Sequence, residues 1–156
     1  MSYIDVLEKE MVSSGDDPAS AGGCSDKDLK EFENALGVAF PESYKLFLKK
    51  FGALSFGGDT YYGITKSGLN ADEDPCVYFA TKTARGQGDA DSGMIVIKSS
   101  GYGPIYSIDT KKLGSSGEPV VVETELSFKR DKLKKLAYDN FEEFLSVNVR
   151  QAIMDL

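Results

Sequence analysis

The sequence predicts an α+β fold: a single domain in which N-terminal helices and a C-terminal helix pack on an antiparallel sheet. Apolar residues recur at three- and four-residue spacing near both ends of the chain, as on the buried face of a helix. Between them, β-branched runs alternate with glycine-rich turns, which is typical of strands. This order of elements indicates an α+β arrangement, and 156 residues is an ordinary length for one domain.

The first helix is predicted over residues 3–12, where the apolar side chains share one face, and Ser14-Gly15 ends it. Residues 13–23 are rich in Ser, Gly and Ala and are typical of a loop. Because only one helix precedes this loop, we expect it to join two elements of one domain rather than two domains.

Two further helices are predicted to form a hairpin. The first begins with a capping box of Ser25 and Asp28 and ends at Gly37, a residue that suits a left-handed helix terminus. The second starts at Pro41 and ends at Gly52. Its apolar residues fall at i, i+3, i+4 and i+7, which predicts that one face is buried: Tyr44, Phe47, Leu48 and Phe51.

Four strands are predicted in the middle of the chain: Thr60–Ile64, Met94–Lys98, Gly103–Asp109 and Pro119–Glu123. The last three are separated by short glycine-rich turns. Since parallel connections need a dozen or more residues, we expect these three strands to form an antiparallel meander.

The segment Cys76–Arg85 leaves two alternatives open. Its Thr and Val content favours a strand, whereas Pro75 suits the first turn of a helix, and we lean slightly towards a helix. The last helix is clearer: Asn140 and Glu143 form its cap, and its apolar residues lie on one face over residues 141–153.

The composition excludes several kinds of chemistry. Without histidine the chain has no Ser-His-Asp or Cys-His catalytic set. Cys24 and Cys76, 52 positions apart, cannot make a structural zinc site by themselves, and we expect both to be reduced. Gly86–Gly88 and Gly101–Pro104 lack the remaining residues of a P-loop or a dinucleotide fingerprint. We therefore expect no catalytic residue, no metal and no cofactor.

Charge and hydropathy indicate the setting. The net charge of −7 argues against direct binding of nucleic acid, which needs a basic face. No run approaches the roughly 18 apolar residues of a membrane span, so we expect no membrane contact. The N-terminus also lacks the basic start and apolar run of a signal peptide, which indicates a cytoplasmic protein.

The charges are unevenly distributed. Between Asp59 and Asp91 there are six acidic and three basic residues, a net charge of −3, and three tyrosines lie among them. Such a segment suits docking to a basic protein, because complementary charge speeds the encounter and aromatic rings anchor the complex. The basic run Lys129–Lys135 is expected to be a solvated helix or loop surface.

The motifs resemble those of the SUKH superfamily, which includes the yeast cell-wall assembly regulator and many small bacterial proteins. The most specific block is LGVAFPESYKLFLKKFG, preceded by Phe32-Glu33. Later features follow in the family's order over about residues 25–146: Tyr62-Gly63-Ile64, Thr81 with Arg85, MIVIKSSGYGPIYSIDT, and Phe141–Leu145. The resemblance implies a SUKH-like core and a binding domain without catalytic activity.

Bacterial members of the superfamily are similar to immunity proteins, so the resemblance implies that the chain neutralises a polymorphic toxin, often a nuclease, as a monomer or weak homo-oligomer. The yeast relative suggests an alternative, a regulator or scaffold in cell-wall glucan synthesis. A third hypothesis, an enzyme, needs several carboxylates gathered in one cleft. We predict that the contact surface is a cleft on the sheet side and its rim: Asp59, Tyr61, Tyr62, Asp72, Glu73, Asp74 and Tyr102.

Overall fold

The computed structural model describes residues 2–99 and 103–156. The helices predicted at both ends and in the hairpin are confirmed, and Cys76–Arg85 is resolved as a helix. The α-helices in this part of the chain are α1 (Tyr3–Ser13), α2 (Asp26–Leu36), α3 (Glu42–Phe51), α4 (Val77–Gln87), α5 (Phe128–Asp131) and α6 (Phe141–Met154). A 3-10 turn covers Gly68–Asn70.

In the part of the chain that the structure describes, the strands form two antiparallel sheets. The small sheet has the order β1 (Ala19–Ser20), β2 (Leu54–Phe56) and β3 (Asp59–Tyr61). The larger sheet is the meander of β4 (Met94–Ser99), β5 (Ile105–Leu113), β6 (Pro119–Thr124) and β7 (Lys135–Tyr138). The backbone N–H of Tyr62 donates to the carbonyl of Ile97 at 2.9 Å, which joins the two sheets.

The hairpin of α2 and α3 forms as the sequence predicts. Ser25 and Asp28 make a reciprocal capping box with two 3.1 Å hydrogen bonds. Gly37 ends α2 with φ of 68°, in the left-handed region. The connection is held from inside, because the backbone N–H of Phe40 donates to the buried carboxylate of Glu33 at 2.7 Å.

Helix α4 is fastened to the larger sheet by its buried face. Val77, Thr81 and Ala84 are buried at helical spacing, and the hydroxyl of Thr81 accepts a 2.9 Å hydrogen bond from the backbone N–H of Val96 in β4. The guanidinium of Arg85 donates to the carbonyls of Leu36 and Met94, at 2.8 and 3.1 Å. These bonds connect α4 to both α2 and β4.

One hydrophobic core runs through the molecule and includes residues from both termini. Aromatic rings of α3 and α6 meet in it: the Tyr44 and Phe141 centroids are 4.8 Å apart, and those of Phe47 and Phe141 are 5.3 Å apart. Helix α1 adds Ile4, Leu7 and Met11. The core therefore extends on both sides of the segment 25–146 that resembles the family.

Several elements differ from the sequence predictions. The strand expected over Thr60–Ile64 starts one residue earlier and ends at Tyr61. Strand β2 and the two-residue β1, which lies in the segment predicted as a loop, were not predicted. The basic run Lys129–Lys135 holds most of the short helix α5 and the first residue of β7. The hairpin turn predicted around Gly101 lies outside the described residues.

No helix in the described part of the chain combines the length and the apolar character that crossing a membrane requires.

Candidate functional site

The sequence predicted a contact surface of seven residues, and the structure divides them between core and surface. Tyr61 and Tyr62 are only 1 % and 5 % exposed. Asp72, Glu73 and Asp74 are exposed and lie together between the 3-10 turn and α4. Asp59 lies at the start of β3, and Tyr102 lies outside the described residues.

Both tyrosines are buried for a structural reason. Strand alternation predicts that only one of two neighbours faces the core, but β3 ends at Tyr61 and the next residue bonds to the larger sheet. The ring of Tyr61 packs edge-on against Phe144 at 5.9 Å. Strand alternation therefore does not hold for this pair, and neither ring is available to a partner in this conformation.

Tyr62 nevertheless belongs to the site through its hydroxyl. This group donates to Oδ2 of Asp74 at 3.1 Å and lies 3.3 Å from the carbonyl of Ser99. Burial, together with the nearby Asp74 carboxylate, raises the pKa of Tyr62 to about 12, so the hydroxyl stays protonated and acts as a donor. The buried Tyr62 side chain thus positions Asp74 through this hydrogen bond.

Asp72, Glu73 and Asp74, which we name the acidic loop, are the best candidates for partner contact among the predicted residues. Within the described residues, neither Asp72 nor Glu73 has a basic group within 4 Å. Their charges are therefore available to a partner. A solvated surface loop with no binding role would have the same composition. The assignment as a contact surface therefore depends on what lies around the loop.

The acidic loop forms a ridge between two grooves. One groove, of about 460 Å³, lies on the side of Lys66 and is lined by residues 65–67 and 71–75 together with Ala21. The other, of about 490 Å³, runs along the outer surface of α4, and we name it the aromatic groove because Tyr78 and Phe79 line it. Asp72 lines both grooves.

The aromatic groove joins apolar surface to charge. Tyr78 and Phe79 are half-buried, and the ammonium of Lys82 lies 5.5 Å from the centre of the Tyr78 ring. The Tyr78 ring also packs edge-on against Phe32 of α2, at 6.3 Å, which limits its movement. A rigid aromatic surface beside an exposed carboxylate is suited to bind a basic protein with an apolar side chain near its positive charge.

The other acids of the segment from Asp59 to Asp91 are neutralised within the protein. Asp59 pairs with Lys98 at 3.0 Å. Asp91 pairs with Lys134 at 2.7 Å, and Asp89 lies 3.7 Å from Lys129. The basic run therefore does not serve only as a solvated surface, because Lys129 and Lys134 bind acids of the same chain.

The enzyme hypothesis needs several carboxylates in one cleft, and the ion pairs show where these carboxylates lie. Asp59, Asp89 and Asp109 are held by three different lysines, Asp109 by Lys134 at 3.0 Å. Asp72 and Asp74 stay together in the acidic loop. Among the described residues, no group of three or more Cys, Asp or Glu side chains is placed to hold a metal ion.

Sequence reasoning missed Phe79 and Lys66. The signal for Phe79 was present, since α4 with Val77, Thr81 and Ala84 buried must direct its neighbours outward. It could not be used while helix and strand were both open for this segment. Lys66 gave no signal, because a single lysine in a loop has no pattern.

Comparison with known proteins supports the resemblance that the motifs indicate. A family described as SMI1-KNR4 cell-wall, of the SUKH group, matches residues 26–145. This segment includes the α2–α3 hairpin, the acidic loop, both sheets apart from β1, and the start of α6. A search of curated proteins finds no match. Since the family match covers most of the sequence, the chain belongs to the SMI1-KNR4 cell-wall family of the SUKH superfamily.

Proposed function

We propose that this protein is an immunity protein, which binds a cognate polymorphic toxin domain, a nuclease with a basic surface, and so blocks its activity. Family membership supports the proposal, because the SUKH superfamily includes immunity proteins. The observation that carries it is the acidic loop, where Asp72 and Glu73 are exposed and form no ion pair with any described residue, and where Asp72 lines the aromatic groove.

The proposed contact combines charge with an apolar anchor. A nuclease that binds a phosphate backbone needs basic residues around its active site. The acidic loop offers carboxylates to such residues, and Tyr78 and Phe79 offer apolar area that can be buried at the centre of the contact. The protein would act in the cytoplasm by covering the toxin's active site, without catalysing a reaction.

The experiment is a binding and inhibition assay with the toxin domain encoded next to this gene. We expect a stable complex and loss of the toxin's activity on mixing. Charge reversal by Asp72→Lys or Glu73→Lys should lower the association rate constant several-fold at low salt, and the difference should shrink as salt screens the charges.

Glu125→Lys is the matched control, since Glu125 is exposed and lies outside the acidic loop and both of its grooves. It should leave association nearly unchanged. If no complex forms and toxin activity persists, the immunity function is excluded. If all three reversals slow association equally, the acidic loop is not the contact surface.

A second candidate is a regulator or scaffold in cell-wall glucan synthesis, which is supported by the reference to the cell wall in the family's description. A deletion strain distinguishes the two functions. An altered wall with no new sensitivity to toxin supports the regulator, whereas toxin sensitivity with a normal wall supports the immunity protein.

A further inference from the structure

A third groove, on another part of the surface, differs in charge from the acidic loop. It has a volume of about 650 Å³ and lies where the α2–α3 connection meets the start of β4 and the end of β5. It shares no residue with the two grooves beside the acidic loop. We propose that this cationic groove binds an acidic segment of a partner protein in which carboxylates alternate with apolar side chains.

The wall formed by the α2–α3 connection is apolar and rigid. Residues 36–41 line it. Leu36, Phe40 and Pro41 are buried against the core, and Val38 is half-buried. Two features already described fix its shape: the left-handed turn at Gly37 and the hydrogen bond from Phe40 N–H to Glu33. Pro119 adds apolar surface on the opposite side.

The charged residues that line the groove are both cationic, Arg85 and Lys111, although the protein as a whole carries a charge of −7. Arg85 is held by its two bonds to backbone carbonyls. Its Nε is buried and has no hydrogen-bond partner among the described residues. Burial, only partly offset by Asp91, lowers the pKa of Arg85, so an added carboxylate would stabilise its charge.

Lys111 is directed along the groove by its neighbours. Its aliphatic chain passes over Gly93 so closely that a Cβ at Gly93 would lie 2.8 Å from Cγ of Lys111. Its ammonium bonds to the hydroxyl of Ser92 at 3.2 Å. Two positive charges on an apolar surface match a partner that carries both carboxylates and apolar side chains.

The overall negative charge does not prevent this binding. At physiological ionic strength the Debye length is about 8 Å, so exposed charges further away are largely screened. Three carboxylates accept hydrogen bonds from the backbone of lining residues: Glu33, Asp91 and Asp109. Each of them is paired with a lysine inside the protein, Glu33 with Lys45 and the two aspartates with Lys134. Among the described residues that line the groove, Arg85 and Lys111 are the charged side chains, and neither forms an ion pair within 4 Å.

A random-peptide display library selected on the full-length protein tests the proposal. We expect the selected peptides to be enriched in Asp and Glu next to apolar residues. Lys111→Glu should weaken their binding by at least about five-fold, the change that corresponds to losing and reversing an exposed charge pair. Lys111 is exposed, so the variant should fold, and circular dichroism checks that it does.

Lys112→Glu is the matched control, because it changes the net charge equally at the neighbouring exposed position, which does not line the groove. Unchanged binding by this control supports the proposal. The proposal is overturned if no peptide is selected, if the selected peptides are basic or uncharged, or if both variants weaken binding equally. Concentration-dependent self-association lost in Lys111→Glu would instead assign the groove to a second copy. None of these outcomes depends on whether a toxin is bound elsewhere.

Discussion

At the scale of single residues, a few buried polar groups hold helix α4 in place. Thr81 and Arg85, which the motif comparison singles out, both bond to the backbone of β4, and Arg85 also bonds to the end of α2. The occurrence of Thr81 and Arg85 together in the family motif therefore has a structural basis. Neither residue touches the acidic loop, but both determine where α4 presents the aromatic groove.

Replacement of Thr81 by valine should destabilise the protein by about 2 kcal/mol. The backbone N–H of Val96 would remain buried without its acceptor, and such a group costs about 1–3 kcal/mol. Chemical denaturation measures the change. Thr83→Val is the control, because Thr83 is exposed on the same helix. Equal effects of the two substitutions would contradict the role given to the Thr81 hydroxyl.

Lys134 links the basic run to Asp91 and Asp109, and the Asp109 side chain is only 5 % exposed. Lys134→Met should cost about 2–3 kcal/mol at neutral pH, less than the loss of one partner of a fully buried pair, because Lys134 is partly solvated. Lys135→Met should change stability by less than about 0.5 kcal/mol, since Lys135 is exposed. Similar losses in both variants would contradict this role.

The stability difference between wild type and Lys134→Met should depend on pH in a defined direction. Burial raises the pKa of Asp91, but hydrogen bonds from Lys134 and from the Gly93 N–H outweigh it and hold the pKa below the ordinary 3.8. The ionised carboxylate therefore stabilises the fold above pH 3.8, and this contribution is lost as the pH falls through the lowered pKa. Unfolding measured from neutral to acidic pH should show wild type and Lys134→Met converging. A constant difference would contradict the mechanism.

At the scale of elements, substitution of two glycines, Gly37 at the end of α2 and Gly86 inside α4, should have opposite effects on stability. Gly37 takes φ of 68° at the end of α2, where a side chain would have room but the backbone would be strained. Gly86 lies inside α4, where an added Cβ would have no atom within 4 Å and φ is not positive.

Gly37→Ala should therefore destabilise the protein by about 1 kcal/mol, whereas Gly86→Ala should stabilise it by about 0.4–1 kcal/mol. Thermal unfolding of the two variants compares them directly, and each is the other's control. Gly37→Asn should be milder than Gly37→Ala, because asparagine tolerates the left-handed region. Effects of the same sign in both alanine variants would contradict the assignment.

At the scale of the whole molecule, the termini complete the core. Arg150 of α6 forms a two-pronged ion pair with Glu10 of α1, both bonds at 3.0 Å. Beneath it, α1 buries Ile4, Leu7 and Met11, and the last turns of α6 bury Val149 and Ala152. All five lie outside residues 26–145, which the family match covers.

A fragment of residues 26–145 should not fold stably by itself. Burial of a large apolar side chain contributes about 1.5–3 kcal/mol, so the loss of the three α1 residues alone removes on the order of 6 kcal/mol. The net stability of a domain is about 5–15 kcal/mol. Far-ultraviolet circular dichroism and methyl dispersion in NMR spectra report the outcome. Residues 2–153 are the control, since Met154 and Leu156 are exposed. Cooperative unfolding of the fragment at near-native stability would contradict this.

Elements whose signals are local can be predicted from the amino-acid sequence. The capping box of Ser25 and Asp28, the helix end at Gly37 and the β4-β5-β6 meander follow from neighbouring residues, and the structure agrees with them. Strands β1, β2 and β7 were not predicted, because two to four residues carry too little pattern. Their conformation is set by pairing: β1 pairs with β2, which is distant in the sequence, β2 also pairs with β3, and β7 pairs with β6.

Which charges and aromatic rings are available to a partner depends on the folded arrangement of the chain. The sequence places six acids between Asp59 and Asp91, but folding brings Lys98, Lys129 and Lys134 to three of them. It buries Tyr61 and Tyr62 and leaves Tyr78 and Phe79 partly exposed. Composition fixes the total charge, whereas Coulomb attraction and burial act over distances of a few ångströms, between residues that only the fold brings together.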